Sequence, residues 1–151
     1  IGSNVLLMAS THVAHDCLVG DNVIMSNLAT LGGHVHIGNW AILGGGVLVH
    51  QFTQIGEHSL IGGGFRAVQD VPPFIIAANH PLEYKGVNIV GLKRRGFSKK
   101  DIDSIKKVYR GFFRSGKNRK TAIEEIESEL PKRKVIQKIL DFIKYSNRGI
   151  I

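Results

Sequence analysis

The chain has 151 residues, a net charge of +8 and a single cysteine. That length suits one domain or a repeat array with a small second unit, and one cysteine excludes an internal disulfide framework. No stretch approaches the roughly 18 continuous apolar residues of a membrane span and no signal peptide is visible, so a reducing, cytoplasmic compartment is expected.

The charge is unevenly divided. Residues 1–70 hold one basic residue, Arg66, against Asp16, Asp21, Glu57 and Asp70, whereas residues 71–151 hold 19 basic and 8 acidic ones. The change falls at Asp70-Val71-Pro72-Pro73. Two prolines that cannot donate ladder hydrogen bonds predict the end of whatever precedes them.

What precedes them is a hexad repeat. From Ile1 to Ala67 every sixth residue is apolar, through Leu7, Val13, Val19, Met25, Leu31, Ile37, Leu43, Val49, Ile55 and Ile61. Such a period fits neither a helix nor an ordinary strand, and marks a hexapeptide parallel β-helix with three hexads, about 18 residues, to a triangular coil. The residue two before each of these is mostly small or apolar, as at Val23, Ala29, Val35, Ala41 and Val47. Two inward positions per hexad fill a narrow prism, and Cys17 takes one of them as a core thiol. Glycines at 20, 32, 38, 44, 56 and 62, with Asp21, Asn22 and Asn39, are expected to supply positive φ at the corners. A β-sandwich with Gly-rich turns would not hold one register so long. The chain begins in mid-pattern at Ile1 without an initiator Met, which predicts further coils before it.

Beyond about Arg95 the period becomes helical. Ser98 followed by Asp101 reads as a variant capping box, and Ile102, Ile105, Val108, Tyr109, Phe112 and Phe113 recur at helical spacing. Gly116 ends that helix; a second is predicted over about 121–129, and a third over about 132–146, beyond Pro131. The expected organisation is coils over 1–72, a linker over 73–97 and a helical domain over 98–151. The lysines are scattered over three amphipathic helices without a nucleic-acid motif, which argues against nucleic acid. The compact Lys93-Arg94-Arg95 run instead suits a phosphorylated small molecule or an acidic protein, because guanidinium forks match phosphate oxygens.

Six of the seven histidines lie in the coils. At about 18 residues per coil, His15 stacks over Gly33 and Gln51, Asp16 over His34 and Phe52, and Ala14 over Gly32 and His50. Coils about 4.8 Å apart would bring His15, His34 and His50 to one face within roughly 10 Å, with His12 at the adjoining corner. Two chemistries fit. Three imidazoles could hold Zn²⁺ with an open fourth position. Alternatively, His15 could act as a general base oriented by Asp16, with the Gly33 amide free to approach a developing oxyanion. Acyl transfer to an alcohol needs those parts and no metal or other cofactor.

The strings His12-Val13-Ala14-His15-Asp16-Cys17, Leu48-Val49-His50-Gln51-Phe52, Gln69-Asp70-Val71-Pro72-Pro73 and Asn88-Ile89-Val90-Gly91-Leu92-Lys93-Arg94-Arg95-Gly96-Phe97-Ser98 closely resemble the bacterial UDP-N-acetylglucosamine O-acyltransferases. The likeness runs the full length of the chain. It implies a left-handed β-helix with a small C-terminal helical domain, assembled as a homotrimer with sites between subunits. The implied reaction moves a 3-hydroxyacyl chain from acyl carrier protein to the glucosamine 3-hydroxyl of UDP-N-acetylglucosamine, the start of lipid A synthesis. By that pattern His15 is the base, Asp16 its orienting partner and Gly33 the oxyanion donor. His12, His34, His50 and Gln51 line the substrate site; Asn88, Arg94 and Arg95 meet the nucleotide and its phosphates; Leu60 and Gly63 measure the acyl chain. Val90 stands where the family carries an acidic residue, and His80 lies one position off the family pattern. The rivals are the related N-acyltransferase, expected to lack the NIVGLKRRGFS string, a zinc-dependent hydratase, and a scaffold without catalysis.

Overall fold

A computed structural model describes all 151 residues. Eleven two-residue strands follow in chain order: β1 (Leu6–Leu7), β2 (His12–Val13), β3 (Leu18–Val19), β4 (Ile24–Met25), β5 (Thr30–Leu31), β6 (His36–Ile37), β7 (Ile42–Leu43), β8 (Leu48–Val49), β9 (Gln54–Ile55), β10 (Leu60–Ile61) and β11 (Arg66–Ala67). They stack into three parallel faces, β1-β4-β7-β10, β2-β5-β8-β11 and β3-β6-β9. Leu6 lies opposite Ile24, Ile24 opposite Ile42 and Ile42 opposite Leu60, the register of a three-hexad coil. The second residue of most strands turns inward, and Met25, Leu31, Leu43 and Ile61 are fully buried with Val23, Ala29, Val35, Ala41 and Val47. The expected parallel β-helix is therefore formed.

The corners are built differently from expectation. Positive φ recurs every six residues at Asn4, Ser10, Asp16, Asn22, Leu28, His34, Trp40, Gly46, Phe52, His58 and Gly64, three residues after each repeating apolar position. The glycines at 20, 32, 38, 44, 56 and 62 are not among them. Five of these six are needed for a different reason. A Cβ on Gly38 would lie 2.5 Å from the Glu57 nitrogen, one on Gly44 2.5 Å from the Gly63 nitrogen, and one on Gly56 2.3 Å from the Pro73 nitrogen. Gly20 and Gly32 likewise face Asn39 and Gln51 in the next coil. These glycines permit backbone to lie on backbone, the second use of a residue without a side chain.

Nor does the stack end at the prolines. The Val71 amide donates to the Gln54 carbonyl over 2.9 Å, and β12 (Ile75–Ala78) adds parallel to β10, Leu60 opposite Ile76. Then β13 (Glu83–Val87) folds back antiparallel on β12. The segment expected as a linker thus holds β12, β13 and the short helix α1 (Ile89–Arg94).

Three further helices follow, α2 (Lys99–Arg114), α3 (Arg119–Glu129) and α4 (Lys134–Tyr145). At the start of α2 the Ser98 hydroxyl accepts from the Asp101 amide and donates to the Asp101 carboxylate at 2.9 Å. That carboxylate also receives Arg133 Nη2 at 2.9 Å, joining the starts of α2 and α4. Ile102, Ile105, Val108 and Tyr109 of α2 and Val135, Ile136, Ile139, Leu140 and Ile143 of α4 form the buried stripes, and one apolar cluster joins them to the coils. The buried Tyr109 hydroxyl donates to the Pro73 carbonyl at 2.5 Å, and Lys138 pairs with Glu57 at 2.6 Å. The fully buried Asp70 carboxylate accepts from the Gln54 amide at 2.8 Å and the Ser146 hydroxyl at 2.6 Å. The chain end is thereby fastened to the last coil. No helix is long and apolar enough to cross a membrane.

Candidate active site

Between the second and third faces, the positive-φ positions of successive coils are Asp16, His34 and Phe52. The residues before them form a parallel column of His15, Gly33 and Gln51. Hydrogen bonds fix this alignment, since the His34 amide donates to the His15 carbonyl and the Phe52 amide to the Gly33 carbonyl, each at 3.0 Å.

His15 Nδ1 lies 2.8 Å from Asp16 Oδ2, and His34 Nε2 lies 3.7 Å from the same oxygen. The His15 and His34 rings meet edge to face at 5.0 Å, and His34 stacks on Phe52 at 4.7 Å. The His15 hydrogen bond, aided by the charges of His34 and His15, holds the Asp16 carboxyl below the usual carboxylate range. An ionised Asp16 accepts, so Nδ1 of His15 donates, and in the neutral imidazole the lone pair is then on Nε2. A Cβ on Gly33 would lie 2.7 Å from that Nε2, and the Gly33 N–H donates to no group of the chain. A basic nitrogen therefore sits beside a free backbone donor, with the His15 side chain 72% exposed.

The other expected residues divide among three places. His12 points outward from β2, opposite Thr30, and Gln51 is exposed above Gly33. His50 follows β8 in the neighbouring column, its Nδ1 donating to the Gln51 carbonyl at 3.1 Å. The group whose ligand atoms all lie within 4.8 Å of one another is His15, Asp16 and His34. His50 is not part of it, so the trio that converges is two imidazoles and a carboxylate rather than three histidines.

Asn88, Arg94 and Arg95 lie around α1, near the corner between the third and first faces. Asn88 is 3% exposed. Its Oδ1 caps α1 through the Gly91 amide at 3.2 Å and its Nδ2 donates to the His58 carbonyl at 3.0 Å. Within one chain Asn88 fixes α1 from below instead of offering an open contact. Arg94 is exposed, and Val90, one turn before it, is a 61% exposed apolar side chain. Leu60 points outward from β10 on the first face and Gly63 lies on the loop after it, so these two stand beside and at the third corner.

Around Arg95 the structure adds residues that the sequence did not single out. Trp40, His58, Phe74 and Phe97 pack together here, and Arg95 touches the first two. The available signal was the 18-residue coil spacing, which stacks Asn22, Trp40 and His58 in one corner column.

A stack of hexads with a histidine corner defines a hexapeptide-repeat protein, and residues 1–33 match the family model described as bacterial transferase hexapeptide (six repeats). Residues 70–151, more than half of the chain, match the model for UDP N-acetylglucosamine O-acyltransferase, domain 2, and the chain belongs to that family. A curated relative from Aliivibrio salmonicida, named acyl-[acyl-carrier-protein]--UDP-N-acetylglucosamine O-acyltransferase, is 47% identical over all 151 residues. The crystal structure of a UDP-N-acetylglucosamine acyltransferase from Bacteroides fragilis aligns over 98% of this chain with a TM-score of 0.96 and 44% identity. A Moraxella catarrhalis UDP-N-acetylglucosamine O-acyltransferase aligns over 100% with a TM-score of 0.95 and 40% identity. The chain spans 58% of the Aliivibrio relative, 58% of the Bacteroides chain and 59% of the Moraxella chain.

Proposed function

We propose that the protein transfers a 3-hydroxyacyl group from acyl carrier protein to the glucosamine 3-hydroxyl of UDP-N-acetylglucosamine, in the cytoplasm, as the entry to lipid A synthesis. The observation that carries this is His15 Nε2 facing the side-chain-free side of Gly33, whose amide is unpaired, while Nδ1 is engaged by Asp16. Nε2 takes the proton of the sugar hydroxyl as its oxygen attacks the thioester carbonyl. The oxygen that gains negative charge accepts from the Gly33 N–H. Collapse breaks the carbon–sulfur bond, and the imidazolium returns its proton to the departing thiolate. Asp16, kept ionised, steadies the imidazolium between the two steps.

His12, His34, His50 and Gln51 surround this corner and suit the sugar, and Arg94 and Arg95 suit the diphosphate. Leu60 and Gly63 stand at a different corner of the prism from His15. An acyl chain lying between two copies would meet both sets, which fits a homotrimer with sites between subunits. The basic second half of the chain fits an acidic carrier protein.

The test is product formation from 3-hydroxyacyl carrier protein and UDP-N-acetylglucosamine. His15→Ala is expected to lower kcat by about 10³-fold. Activity retained in that variant excludes His15 as the base, and stoichiometric zinc bound by His15, Asp16 and His34 overturns the metal-free mechanism.

A further inference from the structure

Arg95 is half-buried, and its surroundings are unusual for a guanidinium. No carboxylate comes within ion-pair distance of it, whereas Arg133, Lys138 and Lys144 each have one. Its Cζ lies 5.4 Å from the Trp40 ring centroid, within cation–π range. Its Nη1 lies 3.4 Å from Nδ1 of His58. Burial lowers its pKa from the ordinary arginine value without discharging it. The charge is thus fixed in place and left without a counter-ion.

His58 is built to do the fixing. It occupies a positive-φ corner, its ring stacked between Trp40 at 6.2 Å and Phe74 at 5.8 Å, with Phe97 edge-on at 4.9 Å. Its carbonyl receives Asn88 Nδ2, which ties the same residue to the start of α1, the helix that ends at Arg94. Burial, with the charges of Arg95 and Lys138 behind it, pushes the imidazole down to about 4, so it is neutral at physiological pH. A neutral acceptor can hold one guanidinium N–H without cancelling the charge; an acid in its place would cancel it.

We propose that His58, stacked between Trp40 and Phe74, is a positioning residue that aims the unpaired Arg95 guanidinium at the diphosphate of the nucleotide sugar. This rests on the reading of Arg95 as a phosphate contact. The remaining guanidinium donors stay free for phosphate oxygens, and the aromatic shelf removes the rotamer freedom that a surface arginine would lose on binding.

The intact protein serves for the test, with UDP affinity measured by calorimetry beside the KM for the nucleotide sugar. His58→Phe keeps a ring, at a φ that phenylalanine already adopts at Phe74 in the same corner and at Phe52 in the neighbouring one, and removes only the acceptor. It is expected to weaken UDP binding and raise that KM about fivefold, the scale of one lost hydrogen bond to a charged group, with kcat and Tm unchanged. His58→Asn keeps an acceptor near the Nδ1 position and is expected to bind like the parent. His58→Glu, which supplies the missing counter-charge, is expected to weaken binding about tenfold or more. In an Arg95→Ala background His58→Phe should have no further effect, because both changes remove one interaction.

Parental UDP affinity in His58→Phe overturns the proposal, as does equal weakening in His58→Phe and His58→Asn, or a His58→Phe effect that persists without Arg95. Arg95→Ala with unchanged UDP affinity sinks the phosphate contact itself and this inference with it; a weakened Arg95→Ala beside an unaffected His58→Phe sinks the inference alone.

Discussion

Two corners of one prism carry a histidine at the same hexad position, and they have opposite fates. His34 stands above Asp16 and below Phe52 at a corner open to solvent; His58 stands above Trp40 and below Phe74 at a corner that the chain from β12 to Phe97 closes over. The repeat supplies the same backbone to both. What separates them is the cover, which turns one histidine into part of an exposed ionisable cluster and the other into a neutral wedge. A solenoid therefore offers equivalent sites in series, and the non-repeating segment decides which of them do chemistry.

The largest expected break in this comparison is at the open corner, where His15→Ala should reduce kcat about 10³-fold in the acyl-transfer assay with little change in Tm. Gly33→Ala comes next. Its methyl would lie 2.7 Å from the His15 ring, and moving the base by that contact should cost about 10²-fold in kcat while the fold survives, since an exposed imidazole can swing away. Circular dichroism and turnover read together separate the two effects.

At the closed corner the readout is stability against pH. The unfolded chain carries His58 near its ordinary value of about 6.5, and the folded one holds it at about 4. Between those values the unfolded state binds a proton that the folded state refuses, so stability falls as pH is lowered through that window. From pH 7 to 5 the parent should lose about 1–2 kcal/mol more than His58→Phe, roughly 4 °C in Tm; parallel pH curves for the two proteins would refute this. A smaller effect of opposite sign is expected inside the prism, away from both corners. Thr53 is fully buried and its hydroxyl has no partner. Thr53→Val, of nearly the same shape, should raise stability by about 1 kcal/mol in denaturant unfolding.

The coils were legible because an inward residue every sixth position survives any local variation. The same register by itself aligns His15 with Gly33 and Asp16 with His34. The corners were misread, since the sequence shows a glycine but not whether its φ or its missing Cβ is what matters: Gly38 and Gly56 serve contact between coils, while Trp40 and His58 take the positive φ. Asn88 was expected among the nucleotide contacts, and its second task, capping α1 and holding the His58 carbonyl, is a tertiary fact that no string displays. The prolines misled for a related reason. A missing N–H stops a ladder only where that N–H is required, and β12 resumes pairing with β10 at Ile76, three residues beyond Pro73.

The glycines that let backbone rest on backbone also set a unit of length. Where no methyl intervenes, successive coils close to hydrogen-bond contact, about 4.8 Å, and that spacing repeats down the stack as a lattice constant. The separation of His15 from Gly33 is one such unit. It is inherited from amide geometry rather than from the packing of neighbouring side chains, so the site keeps its gauge as long as the stack keeps its pitch.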